Sequence, residues 1–305
     1  MKVLIAGGSG FIGSNLVEEV LERGHDVTVL SRNPDEGDLP ADVELAMGDV
    51  SAYDSIAGAV AEHDVVVNLV SLSPLFDTPS GLTHERVHLD GTKNLVRAAE
   101  DGGVDRFIQM SGLGVDPDAP TAYLRAKGRA EEVVQASNLE WTIFRPSVVF
   151  GDGAEFVRFT KLVTTPYVTG LPGGDTKFQP IWVGDLVSML ADAVEEDGHD
   201  GAIYELGGPD VFTLAEVTEL IYEADGKPIA IVPVPIALAK LGLTVAGPIP
   251  FVPMGPDQAR SLGIDNTVTE NDVTTFGYDE SDLRTFREYL GLDSDVQRPS
   301  RAEAV

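Results

Sequence analysis

Residues 3–13 read Val-Leu-Ile-Ala-Gly-Gly-Ser-Gly-Phe-Ile-Gly, and the helical spacing that begins at their end decides how the chain folds. Val3 to Ala6 is apolar and of strand length, and from Ile12 to Arg23 apolar residues recur at helical spacing. Between the two stand Gly7, Gly10 and Gly13, spaced G-x-x-G-x-x-G. A phosphate can rest on a helix N-terminus only where backbone amides approach it closely, and glycine permits both the tight turn and the approach. Strand, glycine turn and helix in immediate succession are what the pyrophosphate of a dinucleotide requires.

The same rhythm continues outward. Apolar runs of strand length recur at Asp26 to Leu30, Val43 to Ala46, Val65 to Val70, Arg106 to Met110 and Trp141 to Phe144. Segments with helical spacing separate most of them: Asp54 to Glu62, His88 to Asp101 and Tyr123 to Ser137. Alternating strands and helices predict an α/β fold, a Rossmann-type doubly wound parallel sheet covered on both faces. After about Phe150 proline and glycine become frequent and the apolar periods less regular, which predicts a smaller mixed C-terminal lobe. The expected division is a dinucleotide-binding domain over 1–150, rejoined by a strand near 202–206, and a lobe built from 151–201 and 207–292. Residues 293–305 are polar, lack a core pattern and are expected to be a disordered tail.

The second strand ends in Ser31 and Arg32, where an acidic residue would bind the two ribose hydroxyls of NAD. A hydroxyl and a guanidinium suit a ribose 2′-phosphate, so NADP(H) is favoured. NAD(H) remains open through Asp35 or Glu36, either of which can supply the acid. Asp49, after Gly48 at the end of the third strand and with Val50 beside it, is the expected partner of the adenine.

A second constellation lies downstream. Ser111 follows the apolar run Arg106 to Met110, and Tyr123 and Lys127 form a Tyr-x-x-x-Lys pair on one helical face. A cation beside a phenol favours phenolate and draws its pKa toward neutrality, as general acid/base work requires. Ser111 is expected to hold a substrate oxygen, Tyr123 to exchange its proton, and Lys127 also to hydrogen-bond the nicotinamide ribose.

GGSGFIG, GDV at 48–50, QMSGLGV, YLRAK, RPSVVFG and FQPIWVGDLV occur in this order. Through them nearly the whole chain resembles an extended or atypical short-chain dehydrogenase/reductase of the epimerase/dehydratase kind. Through YLRAKGRAEE, TIFRPSVVFG and PDQARSL it is similar, more narrowly, to the branch related to the 39 kDa accessory subunit of respiratory complex I. The resemblance implies that Gly7, Gly10, Phe11, Ile12 and Gly13 hold the pyrophosphate, and that Leu69, Val70, Ser71, Pro146 and Ser147 line the nicotinamide half. It implies an NAD(P)-dependent oxidoreductase or epimerase, or alternatively a non-catalytic nucleotide-binding assembly protein of a respiratory complex. Nucleotide-sugar enzymes of this superfamily commonly carry R-x-x-N-V-Y-G, but here Val148 replaces the asparagine that helps bind the sugar nucleotide. His88 likewise stands where N-x-x-G-T has asparagine.

Composition bounds the partners. Fifty acidic against 21 basic residues give a net charge of −29 over 305 residues, which repels nucleic acid and anionic lipid over most of the surface. The acidic excess runs through the whole chain and Lys is scarcer than Arg, which reads as adaptation to high salt. Zero cysteines remove disulfide, thiolate and Cys-zinc chemistry. The opening apolar run is too short for a signal peptide, so a cytoplasmic location is expected.

His84-Glu85-Arg86-Val87-His88 spells the zinc-protease pattern, but no third ligand is evident and no metal is expected. From Ile229 to Met254 only Lys240 is ionised, while five prolines argue against an unbroken membrane helix. That stretch admits ordinary packing, an apolar lid over a small, apolar substrate, a homo-oligomer contact, or a peripheral membrane or respiratory-complex contact.

Overall fold

A computed structural model describes residues 1–34, 39–76, 78–234, 260 and 263–293. Asp35 and Glu36, the apolar stretch beyond Val234 with Lys240, and the tail beyond 293 lie outside the described residues. The chain runs through β1 (Lys2–Ala6), α1 (Phe11–Glu22), β2 (Asp26–Ser31), β3 (Glu44–Met47), α2 (Tyr53–Val60) and β4 (Val65–Asn68). A loop and a π-helical stretch, Glu85–Asp90, lead into α3 (Gly91–Gly102), β5 (Arg106–Met110), α4 (Ala122–Gln135) and β6 (Glu140–Pro146). Then come β7 (Val149–Phe150), α5 (Glu155–Val163), β8 (Tyr167–Pro172), β9 (Lys177–Phe178), β10 (Ile181–Trp182) and α6 (Val183–Glu195). Next come β11 (Ala202–Leu206), β12 (Phe212–Thr213), α7 (Leu214–Ala224) and β13 (Ile229–Val234), and after them short helical turns at Asp272–Phe276, Glu280–Asp282 and Phe286–Tyr289.

Seven strands form the central sheet in the order β11-β6-β5-β4-β1-β2-β3, and every neighbouring pair is parallel. Strands covered on both faces read as unbroken apolar runs, and Val3 to Ala6 and Val65 to Val67 are accordingly buried throughout. Period-two geometry sends Val3 and Ile5 into one core with Leu16, Val17 and Val20 of α1, and Leu4 and Ala6 into the opposite core with Ile56, Leu95 and Val134. Edge strand β3 has one neighbour, and its Leu45 and Met47 are exposed.

Helix α6 differs from expectation. The sequence pattern puts residues 151–201 in the smaller lobe, yet Leu186, Val187, Met189 and Leu190 stand in the first core with α1. An apolar face this wide, with eight of thirteen residues buried, needs the large sheet to cover it. A third cluster joins Phe150, Phe156, Leu171 and Phe178 to Leu214, Val217, Leu220, Ile221 and Phe286 around α5 and α7.

The strand order reverses at β1, which lies between β2 and β4. Loops leaving the carboxyl ends of β1 and β4 part in opposite directions there, and ligands of open α/β sheets bind in the resulting crevice.

Candidate dinucleotide site and the Tyr-Lys helix

The glycine turn is built by close approach. Gly7 lies at φ +84°, and its amide donates to the Leu30 carbonyl at 2.9 Å, tying the turn to β2. A Cβ at position 13 would stand 2.3 Å from the Gly7 oxygen and 2.6 Å from Gly8 Cα, so only glycine lets α1 start this close to the turn. The N-cap is Gly10, with no side chain to accept from the first-turn amides. The helix therefore begins with donors and partial positive charge facing the crevice.

A cavity of about 400 Å³ opens beside the turn. Of the residues predicted to bind a cofactor, Gly7, Gly10, Ser31, Arg32, Asp49, Val50, Leu69, Val70 and Ser71 line it. Ser31 Oγ is buried and has no hydrogen-bond partner among the described residues, and the exposed Arg32 makes no ion pair among them. Burial opposes ionisation of Asp49, but hydrogen bonds from Ser51 and the charges of Arg32 and Arg86 hold its pKa below the ordinary carboxylate value. A buried network fixes the far wall: Asn68 Nδ2 donates to Thr92 Oγ1 and Gln109 Oε1, while its Oδ1 accepts from the Val70 amide at 3.2 Å.

The wall ends at Ser71, whose hydroxyl donates to the Leu72 carbonyl at 3.3 Å and lies near enough to the Tyr123 phenol to favour its ionised form. Tyr123 is half-buried near the N-terminus of α4, where Thr121 caps the helix by accepting from the Leu124 amide. One turn on, Lys127 is buried, and its Nζ donates to the carbonyls of Met110 at 2.9 Å and Ser111 at 3.3 Å. Burial lowers its pKa to about 8 against the attraction of Glu131. Burial also pushes the Tyr123 phenol up to about 12, opposed by the nearby Ser71 hydroxyl. The expected drop of that pKa toward neutrality is therefore corrected: the ammonium lies 5.4 Å from the ring centre and spends its hydrogen bonds on backbone. Ser111 Oγ is buried with no hydrogen-bond partner among the described residues.

Other predicted residues sit outside the cavity wall. Phe11 turns its ring toward Gly151, whose hypothetical Cβ would meet it at 3.2 Å, and Gly13 supports the turn from behind. Ile12 packs against the first core. Ser147, next to Pro146, donates to Asn266, whose Oδ1 also accepts from the Val148 amide at 2.9 Å. Their role here is to hold the later segment onto β6. Sequence reading misses Ser9, Leu30, Asn33, Gly48, Leu72, Leu82 and Val87, which complete the lining. Ser9 and Gly48 adjoin named motifs and are within reach of such a reading, whereas Leu82 comes from a loop and Val87 from the π-helical turn after it, neither with an apolar period.

Residues 7–166 match the family model described as NAD(P)H-binding. The chain belongs to that family. Within it, the chain falls in the extended short-chain dehydrogenase/reductase superfamily, on the branch of the complex I subunits. It is 32% identical to the mitochondrial NADH dehydrogenase [ubiquinone] 1 alpha subcomplex subunit 9 of Arabidopsis thaliana, over 88% of this chain and 71% of the plant protein. It is 26% identical to the NAD(P)H azoreductase of Xenophilus azovorans, over 80% of this chain and 81% of that one. Its fold matches the Bordetella bronchiseptica enzyme WbmH, solved in complex with NAD+, with a TM-score of 0.70 at 19% identity over 95% and 96% of the two chains. Among the described residues of this family member no helix is long and apolar enough to cross a membrane.

Proposed function

We propose that the chain is an NADP(H)-dependent oxidoreductase acting on a carbonyl or carbinol carbon of a small, apolar molecule. The observation that carries the reading is the continuity from the Gly7–Gly10 turn along the cavity to Ser71, whose hydroxyl lies near the Tyr123 phenol. Gly7 and Gly10 would hold the pyrophosphate at the start of α1, Ser31 and Arg32 the 2′-phosphate, and Asp49 with Val50 the adenine. A buried hydroxyl and a guanidinium that have no partner among the described residues fit a phosphate better than a free ribose. When bound, the nicotinamide supplies or accepts the two electrons, as hydride, at the substrate carbon.

With its pKa near 12, Tyr123 carries its proton at neutral pH and donates it to the oxygen of a carbonyl under reduction. Ser111 Oγ, buried and without a hydrogen-bond partner among the described residues, is the second hydrogen bond to that oxygen. Lys127 holds the ends of β5 and α4 together through the two carbonyls. A panel of carbonyl compounds turned over with NADPH, wild type against Tyr123→Phe, tests the mechanism; equal rates in the two proteins reject it.

A second reading has its own support in the kinship with a respiratory-complex subunit. On it, the nucleotide is a structural cofactor and the chain is an assembly or accessory protein, cytoplasmic or peripheral to a membrane. Tight NADPH binding without turnover of any carbonyl, together with co-purification with a membrane complex, favours it.

A further inference from the structure

His84 and His88 have no part in the proposed cofactor contacts or proton transfer, yet both rings stand edge-on to Tyr123. The centroid separations are 5.6 Å for His84 and 5.3 Å for His88, at interplanar angles of 82° and 87°. The two imidazoles stack on each other at 5.5 Å. His88 is 3% exposed, and its Nε2 accepts the Leu72 amide proton at 3.3 Å. Leu72 is the residue after Ser71, and both line the cavity.

We infer that His88 is a positioning residue: it clamps the Ser71–Leu72 backbone against α4, and so fixes where the Ser71 hydroxyl stands beside Tyr123. The ring reaches both parts at once, with its edge on the tyrosine and its nitrogen on the loop. An acceptor at Nε2 leaves the ring's single proton on Nδ1, so the clamp needs the neutral imidazole. Its surroundings supply that form. Burial, the Lys127 ammonium from α4 and neighbouring His84 press its pKa well below the ordinary value, outweighing the opposite pull of the Leu72 backbone. The π-helical turn over Glu85–Asp90 matters here, because such a widened turn re-aims side chains and is frequent at functional sites.

The inference rests on the proposed oxidoreductase reading for its consequence, but not for the clamp itself, and the two can fail separately. His88→Phe keeps an aromatic edge against Tyr123 and removes the acceptor; His88→Gln returns an acceptor the same number of bonds from the backbone. Amide hydrogen exchange reads the clamp in the protein alone: the Leu72 amide is protected in wild type, exchanges faster in His88→Phe and is protected again in His88→Gln. Nitrogen-15 shifts of His88 report the Nδ1–H tautomer.

NADPH affinity reads the consequence. The dissociation constant rises about three- to ten-fold in His88→Phe, the worth of one hydrogen bond, and recovers in His88→Gln. Unchanged Leu72 exchange in His88→Phe, or an imidazolium in the wild-type spectrum, overturns the clamp. A lost clamp with unaltered NADPH affinity overturns the positioning role. Exchange behaviour as expected in a wild type that binds no NADPH convicts the oxidoreductase reading instead.

Discussion

The ammonium of Lys127 lies 5.4 Å from the centre of the Tyr123 ring and is hydrogen-bonded to the carbonyls of Met110 and Ser111. Two groups one helical turn apart thus have their pKa values moved in different senses, the phenol up to about 12 and the ammonium down to about 8. Both shifts come first from burial, which disfavours the charged form of each.

The lysine shift becomes a stability statement. Folded Lys127 releases its proton near pH 8, whereas the unfolded chain holds it to the ordinary value of 10.5, so between those values the unfolded state binds more protons and stability rises with pH. Below pH 8 the full cost of burying the ammonium is present, roughly 3 kcal/mol from the size of the shift. In Lys127→Met that slope disappears. Urea unfolding of both proteins from pH 7 to pH 10.5 measures it; parallel curves for the two would refute the shift.

Tyr123→Phe is expected to lower carbonyl turnover by about 10²–10⁴-fold, the range for one positioned proton donor, and to leave NADPH affinity within a small factor of wild type. Phe fills the same space, and the phenol does not line the cavity. Stopped-flow binding and steady-state rates separate the two effects. Retained turnover, or lost binding with turnover per bound cofactor intact, would count against the assignment.

How much of this can be read from residues alone depends on periodicity. Val3–Ala6, Gly7, Gly10, Gly13 and α1 announce themselves because period two gives way to period 3.6 across a glycine turn, and the parallel sheet then comes from the alternation of strands and helices. Tyr123 and Lys127 are legible as a pair on one helical face, but not in what the ammonium touches, since its partners are carbonyls at the end of β5 brought up by tertiary packing. Leu82 and Val87 line the cavity from a segment with no regular spacing. Helix α6 escapes a sequence reading because it begins within the run Phe178–Val187, which reads as a motif before it reads as a helix.

On the proposed reading, Arg32 decides the choice of dinucleotide. Removing it in Arg32→Ala takes away a charge-assisted contact to the 2′-phosphate, worth about 1.5–3 kcal/mol, so NADPH binding should weaken about ten-fold or more. NADH lacks that phosphate, and its affinity should stay as it was. Fluorescence titration with both cofactors gives the ratio. An equal loss for both would move Arg32 to a general electrostatic role.

Two glycines should respond to alanine with opposite signs. Gly13→Ala drives a methyl into the Gly7 carbonyl and Gly8 backbone, which cannot yield without moving the turn, so a loss of at least about 2 kcal/mol is expected together with weaker NADPH binding. Gly58, exposed inside α2, has nothing within 4 Å of an added Cβ. There alanine lowers the entropy of the unfolded chain and should stabilise by about 0.5–1 kcal/mol. Denaturant melts of the two variants check both signs in one experiment.

Salt is the remaining lever. A net charge of −29 makes the folded chain repel itself at low ionic strength, and the repulsion reaches about 10 Å at 0.1 M salt but only about 3 Å at 1 M. One group of favourable ion pairs is less exposed to this screening. Arg23, the C-cap of α1, reaches Glu19, Asp192 and Glu195 at 3.0 Å or less with its side chain 19% exposed, and it ties α1 to α6. Repulsion between exposed carboxylates is therefore screened more than the attraction inside this clamp. The unfolding midpoint should rise steadily as KCl increases from about 0.1 M to beyond about 1 M, where screening is nearly complete. Sucrose, which carries no charge, should give only the smaller rise due to its exclusion from the surface. A midpoint that stays level or falls with KCl would mean that the clamp and its like outweigh the repulsion, and that the acidic surface is not an adaptation to salt.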